Sequence, residues 1–173
     1  MKKTIVIAGA TGFIGRWIID IFKKDYNIVA LSRRKTLKSI YDNVTWREVD
    51  LYSISSTENA LKGADYAIYL VHSMQPSTRL NQGKFEDTDL LLADNFSRGA
   101  NANKVEQIIY LGGIIPKDNQ QISKHLKSRL EVEKTLASKD VPVTAIRAGI
   151  IIGPGGSSFK IIRKLVEKFL YWS

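Results

Sequence analysis

Hydrophobic positions fall into two alternating patterns along the chain. Short runs rich in Ile and Val occupy residues 4–8, 28–31, 66–71, 107–111 and 143–146, and a weaker run covers 44–49. Runs of this length and composition predict buried strands. Because they are nearly continuous in apolar character, they predict parallel strands covered on both faces. Between them the spacing changes to that of helices. Residues 13–24 place Ile14, Trp17, Ile18 and Ile21 on one stripe, and 56–62 form a short helix. Residues 85–103 align Phe85, Thr88, Leu92, Phe96 and Ala100 on one face. Residues 124–138 carry Leu126, Leu130 and Leu136 among Lys and Glu. Residues 157–170 point Phe159, Ile162, Leu165, Val166 and Phe169 inward and Lys160, Arg163, Lys164 and Lys168 outward. Strand–helix–strand alternation of this kind predicts an α/β fold, a doubly wound parallel sheet with right-handed crossovers. No repeat, low-complexity tract or linker interrupts it, so residues 1–173 read as one domain.

Composition narrows the chemistry. Hydrophobic residues make up 44% of the chain and charged residues 25%, which excludes a disordered or collagen-like polymer. There is no cysteine, which excludes disulfides, thiolate-bound metals and a Cys nucleophile. The apolar stretch after Lys2-Lys3 is broken by Gly9, Gly12 and Gly15 and followed by Arg16 and Asp20, so it reads as strand, turn and helix rather than a signal peptide. With no long apolar run, no membrane span is expected, and the default location is cytoplasmic. The net charge of +9 sits at the two ends: residues 1–40 carry 9 basic and 2 acidic groups, and residues 121–173 carry 10 basic and 4 acidic. No Arg/Lys tract or aromatic RNA-binding motif accompanies it, which disfavours nucleic acid as a partner. A solvated basic surface or attraction for an anionic ligand remains.

The ligand is suggested by Gly9-Ala10-Thr11-Gly12-Phe13-Ile14-Gly15, placed between the first strand and the first helix. Glycines at this spacing allow a tight turn, close approach of the backbone to a pyrophosphate and close helix–strand packing. The helix N-terminus adds free N–H groups and partial positive charge. The reading is therefore a Rossmann-type dinucleotide site comprising Gly9, Thr11, Gly12, Phe13, Ile14 and Gly15. At the end of the second strand an acid would select the ribose 2′-hydroxyl of NAD. Here the strand runs out at Ser32-Arg33-Arg34-Lys35. Arginine forks suit phosphate oxygens, so Arg33 and Arg34 favour NADP, with NAD as the alternative. Asp50-Leu51 follows the third strand; Asp50 would either accept from the adenine amino group or start a turn or cap.

These motifs, taken with three later segments, carry a resemblance. The glycine turn resembles the fingerprint of the atypical and extended short-chain dehydrogenase/reductase superfamily, NmrA-like members included. Tyr69-Leu70-Val71-His72-Ser73-Met74, Ile109-Tyr110-Leu111-Gly112-Gly113-Ile114 and Arg147-Ala148-Gly149-Ile150-Ile151-Ile152-Gly153-Pro154-Gly155 are similar to a bacterial group of that superfamily. That group pairs an NAD(P)-binding amino-terminal domain with a further carboxy-terminal domain, which implies that the substrate-binding part is short or absent in these 173 residues. The resemblance implies that Val71 and the residues after it line the nicotinamide side. It implies that Leu111-Gly112-Gly113 occupies the strand end where reductases carry a Ser or Thr. The superfamily's Tyr-x-x-x-Lys helix aligns with His125-Leu126-Lys127-Ser128-Arg129, so His125 stands at the Tyr position and Arg129 at the Lys position.

A histidine there can exchange protons near neutral pH, and a neighbouring arginine lowers its pKa. Two functions follow as expectations. One is NAD(P)(H)-dependent hydride transfer to an unidentified carbonyl substrate, with His125 and Arg129 in catalytic positions. The other is a non-enzymatic dinucleotide-binding sensor or regulatory module, in which His125 is a partly exposed helix residue. A second copy or protein partner is left open by both. The only histidines are His72 and His125, no metal-ligand spacing occurs, and Ser73 and Ser123 lack a nucleophile context. Gly153-Pro154-Gly155-Gly156 is either a second ligand-side loop or a plain connection to the last helix.

Overall fold

A computed structural model describes residues 2–34, 39–72, 85–116 and 123–170. Lys35, Ser73, Met74 and Trp172, and the side chains of Phe85, Lys160, Ile162 and Phe169, lie outside the described residues. The strands are β1 (Thr4–Ala8), β2 (Asn27–Ser32), β3 (Val44–Glu48), β4 (Tyr66–Tyr69), β5 (Gln107–Gly113) and β6 (Val143–Ala148). The helices are α1 (Phe13–Phe22), α2 (Ile54–Ala60), α3 (Phe85–Ala102), α4 (Lys124–Leu136) and α5 (Ser157–Leu170). All strand pairs are parallel, in the order β3-β2-β1-β4-β5-β6. Rossmann-type, doubly wound topology is thus observed, and every strand's carboxyl end lies on one edge. The strand order reverses between β1 and β4, where β1 pairs Ala8 with Tyr69.

The pleat sends alternate side chains to two cores. Val6, Ala8, Val29, Leu31, Tyr69 and Tyr110 face Phe96 of α3 and Val132 and Leu136 of α4. Ile5, Ile7, Ile28, Ala30 and Ile68 face Ile19 of α1, with Ile18 and Phe22 packed beside it. The α3 stripe is as read from the sequence: Thr88, Leu92, Phe96 and Ala100 are all buried. Two short helices gain caps from serines, Ser53 accepting from the Ser56 amide at 3.3 Å and Ser123 from the Leu126 amide at 3.3 Å. Ser123 is therefore a structural residue, and the Ser53 cap starts α2 two residues earlier than the apolar pattern indicates.

Two expected faces are corrected. On α1, Trp17 and Ile21 point to solvent, whereas Gly15 and Ile19 are buried. A Cβ at Gly15 would lie 2.5 Å from the Gly9 carbonyl oxygen, so the helix docks on its glycine and turns the 15–18–19–22 face to the sheet. The inward side of α5 is the second. Phe159, Leu165 and Val166 are about half exposed, and among the described residues α5 has at most marginal contact with the sheet. Consistently, β6 is not covered on both faces: Ile146 is exposed. No helix is long and apolar enough to cross a membrane among the described residues.

Candidate functional site

The carboxyl edge of the sheet gathers the sequence-predicted residues. Gly9 leaves β1 with φ of 86°, a left-handed conformation that L side chains rarely adopt. A Cβ there would also lie 3.0 Å from Leu70 of the neighbouring strand end. The Gly12 amide then donates to the Gly9 carbonyl at 3.0 Å, closing the turn. Gly12 is the N-cap of α1, with no side-chain cap and no acidic residue in the first turn. The helix thus begins with backbone donors that no side chain answers and no carboxylate neutralises. This suits a pyrophosphate. Thr11 is exposed, and its carbonyl accepts from Arg16 Nε at 3.1 Å. The Phe13 ring packs under the second glycine loop: a Cβ on Gly153 would come within 2.8 Å of its Cζ. The Gly153–Gly156 loop therefore meets the first turn directly.

Next to this turn, β2 ends on buried Ser32, whose Oγ accepts from the Arg34 amide at 3.0 Å. The Ser32 carbonyl accepts from the Val49 amide at 2.9 Å. Arg33 and Arg34 are held at the strand end with exposed side chains. Asp50 forms a turn: its Oδ1 accepts from the Tyr52 amide at 3.0 Å, and its own amide donates to Ser56 Oγ at 3.0 Å. Of the two roles left open for Asp50, the turn is the one observed. Leu51 packs against the core, and its carbonyl accepts from Asn95 Nδ2 of α3 at 2.9 Å. Val71 lies just past β4, half-buried against the same core.

On the other side of the switch point a cleft of about 360 Å³ opens between β5, β6 and α4. Ile14 of the glycine turn, Leu111, Gly113, His125, Arg129 and Ile151 line it. His125 and Arg129 therefore share a wall with Leu111. Arg129 Nη1 donates to the Leu111 carbonyl at 3.0 Å, and the Tyr110 hydroxyl donates to the Arg129 carbonyl at 3.2 Å. The missing Ser or Thr has a steric counterpart. A Cβ on Gly113 would lie 2.7 Å from Leu126 Cδ2, so a side chain there would displace the tip of Leu126 on α4.

The His125 imidazole is held below the usual histidine range, first by partial desolvation, then by the nearby His72 and Arg129, with Asp89 opposing. Arg129 acts in the expected direction, but it is not the main cause. Burial raises the phenol pKa of both Tyr69 and Tyr110, so both remain neutral. Asp89, and its pairing with His72 just after Val71, were not foreseen as part of the site. His72 Nδ1 lies 3.2 Å from Asp89 Oδ2, and the His72 and His125 rings meet edge to face with centroids 4.8 Å apart. One signal was available in the sequence: Asp89 interrupts the apolar stripe of α3, and a carboxylate on a buried face requires a partner. Among the described residues no group of three or more His, Cys, Asp or Glu could hold a metal ion.

A parallel sheet in this order, with an uncapped glycine turn where the order reverses, defines a dinucleotide-binding Rossmann domain. Residues 9–168 match the family described as NAD(P)H-binding, and the chain belongs to that family. It is 30% identical to the auxiliary protein GraX of Staphylococcus aureus over 65% of this chain and 37% of that one. It is 27% identical to a UDP-glucose 4-epimerase of Rickettsia bellii, covering 91% of this chain and 51% of the relative. Among solved structures, WbmH of Bordetella bronchiseptica in complex with NAD+ superposes with a TM-score of 0.73 at 17% identity, covering 97% of this chain and 64% of that one. The chain thus spans about half the length, or less, of the curated relatives it matches.

Proposed function

We propose that the domain binds NADP(H) in preference to NAD(H) and reduces or oxidises a small carbonyl or alcohol substrate in the cleft beside the glycine turn. The observation that carries this reading is the shared wall of His125, Arg129 and Leu111, which also includes Ile14 of the glycine turn itself. The residues of the turn fit a pyrophosphate. Gly12 offers no side chain, and the first turn of α1 carries no competing acid. Arg33 and Arg34 would hold the 2′-phosphate, and Asp50 and Leu51 would flank the adenine. Val71 and Leu111 would border the nicotinamide. When bound, the nicotinamide supplies or takes the hydride. Arg129, fixed through Leu111, presents a cation at the cleft that suits a ribose hydroxyl or phosphate. His125 exchanges the proton of the substrate oxygen. Its depressed pKa makes the imidazolium a stronger acid and leaves the neutral ring populated at pH 7. A cysteine-free chain suits a reducing, cytosolic setting.

A second reading has its own support. The tripeptide Leu111-Gly112-Gly113 carries no hydroxyl at the strand end where a reductase places Ser or Thr. In that reading the domain senses dinucleotide without turnover, or serves a partner. Calorimetric titration with NADPH and NADH, followed by a screen of aldehydes, ketones and UDP-glucose, separates the two. Turnover that His125→Ala abolishes while NADPH affinity is retained supports the enzyme. Tight NADPH binding with no turnover of any compound supports the sensor. Failure to bind either dinucleotide overturns both.

A further inference from the structure

The histidine beside His125 has a role of its own. His72 emerges just beyond β4, Asp89 sits on the buried face of α3, and His125 stands on the first turn of α4. Seventeen residues separate the first pair; only the fold brings the three together. Asp89 is buried, and its carboxylate accepts from His72 Nδ1 at 3.2 Å. A carboxylate accepts only, so the proton of neutral His72 is on Nδ1 and the lone pair is on Nε2. That Nε2 is buried and has no hydrogen-bond partner among the described residues. Buried acceptors are normally paired, and an unpaired one calls for an explanation. The imidazole directly against this ring is His125, edge to face at 4.8 Å between centroids.

We propose that His72, oriented by Asp89, is a positioning residue for His125, so that the three side chains form one acid–base unit at the wall of the cleft. The proposal rests on reading His125 as the proton-exchanging group there. Two imidazoles in contact cannot both become cations without repulsion, so the charge of one sets the charge of the other. The Asp89 carboxylate compensates one positive charge on the pair. Among the described residues, the groups facing it include Arg129 of α4, which disfavours a cation on His125, and the buried phenols Tyr69 and Tyr110, which stay neutral. Held this way, His125 keeps a fixed ring orientation toward the cleft and releases its proton readily.

The chain's two histidines make the test direct. Protein carrying ring-labelled histidine is titrated by NMR without dinucleotide or substrate, as wild type, His72→Gln and Asp89→Asn. The wild-type His125 midpoint is expected below that of a free histidine. It should move up in His72→Gln, which removes the imidazole that competes with it for a proton, and down in Asp89→Asn, where the compensating charge is gone. A role in packing alone would move the His125 midpoint through its burial in His72→Gln and leave it unmoved in Asp89→Asn. A folded His72→Gln protein whose His125 midpoint is unchanged overturns the proposal. Should that variant fail to fold, the wild-type curves decide. A His125 signal with a second inflection at the His72 titration supports coupling, and a single inflection at the free-histidine value overturns it. No cofactor or turnover enters the measurement. A failed substrate screen with coupled titrations therefore condemns the reductase reading and not the unit, and uncoupled titrations with turnover do the reverse.

Discussion

On the β1–β2 side of the switch point both faces of the sheet are closed. Ile7 and Ala30 are 0% exposed on one face, and Val6 and Leu31 are 0% and 3% exposed on the other. On the β6 side, Ile146 is 54% exposed and Ile150, just after the strand, is 72% exposed. The two regions have similar composition, with short runs of Ile, Val and Ala. What separates them is a helix. α1 returns across the first region because Gly15 lets it lie on the turn, whereas among the described residues α5 has at most marginal contact with the second. An apolar run is therefore a statement about what a segment can bury, and the returning helix determines whether it does. The difference also divides the labour. The closed side supplies the glycine turn, and the open side supplies the cleft with its titratable wall.

The sharpest way to break the closed side is at Gly15. Gly15→Val places atoms against the backbone of Gly9 and Ala10, where no rotamer relieves the overlap. It should reduce stability by about 3 kcal/mol or more in urea melts. Gly12→Val is the contrasting variant. A Cβ there meets only the Gly9 oxygen of its own turn, at 3.2 Å, so the fold should survive while NADPH binding is lost. Unchanged NADPH affinity in folded Gly12→Val would mean that the glycines serve the turn alone. The contrast between the two sheet faces is tested by a pair of truncations. Ile68→Ala, in the closed core, should cost about 2–5 kcal/mol. Ile146→Ala should change stability by less than about 0.5 kcal/mol. A comparable loss at Ile146 would show that the β6 face is covered in solution.

Smaller effects sharpen the division at the ligand. Arg33→Asp should weaken NADPH by about 1–3 kcal/mol, the scale of a hydrogen bond to a charged group, and spare NADH. Equal losses for both would remove the 2′-phosphate role. The smallest effect is the pH dependence of stability. Folding disfavours the His125 imidazolium, so as the pH falls the unfolded chain takes up this proton first. The contribution is complete above the ordinary histidine value of 6.5. It declines below that until folded His125 is itself protonated. Subtracting the curve of His125→Gln from that of wild type isolates it, and a difference that grows with acid in the wild type's favour would reverse the sign.

Much of the fold was legible in the sequence because its signals are local. The periodicities of β1, β2 and α3 report burial directly, and the glycine turn constrains backbone within seven residues. The exceptions have particular causes. Trp17 and Ile21 satisfied the helical period but lost the sheet to Gly15, since a helix docks on whichever side lets its axis come nearest. α5 has the stripe of a packed helix, and its stripe residues Phe159, Leu165 and Val166 are exposed all the same.

The site divides in the same way. The glycine turn, the basic end of β2 and the His125–Arg129 helix could each be found along the chain, because each is a short segment with a spacing. That Arg129 is anchored on the Leu111 carbonyl, and that His72 and Asp89 stand behind His125, depends on three strand and helix ends converging at one edge of the sheet. Sequence separation carries no information about such contacts, which arise from the parallel order of the strands and the packing of α3 and α4. The sequence by itself determined a doubly wound dinucleotide-binding chain and the residues of its turn. Only the tertiary structure decided which titratable groups meet in the cleft, because charge coupling depends on distances of a few ångströms that no local pattern encodes.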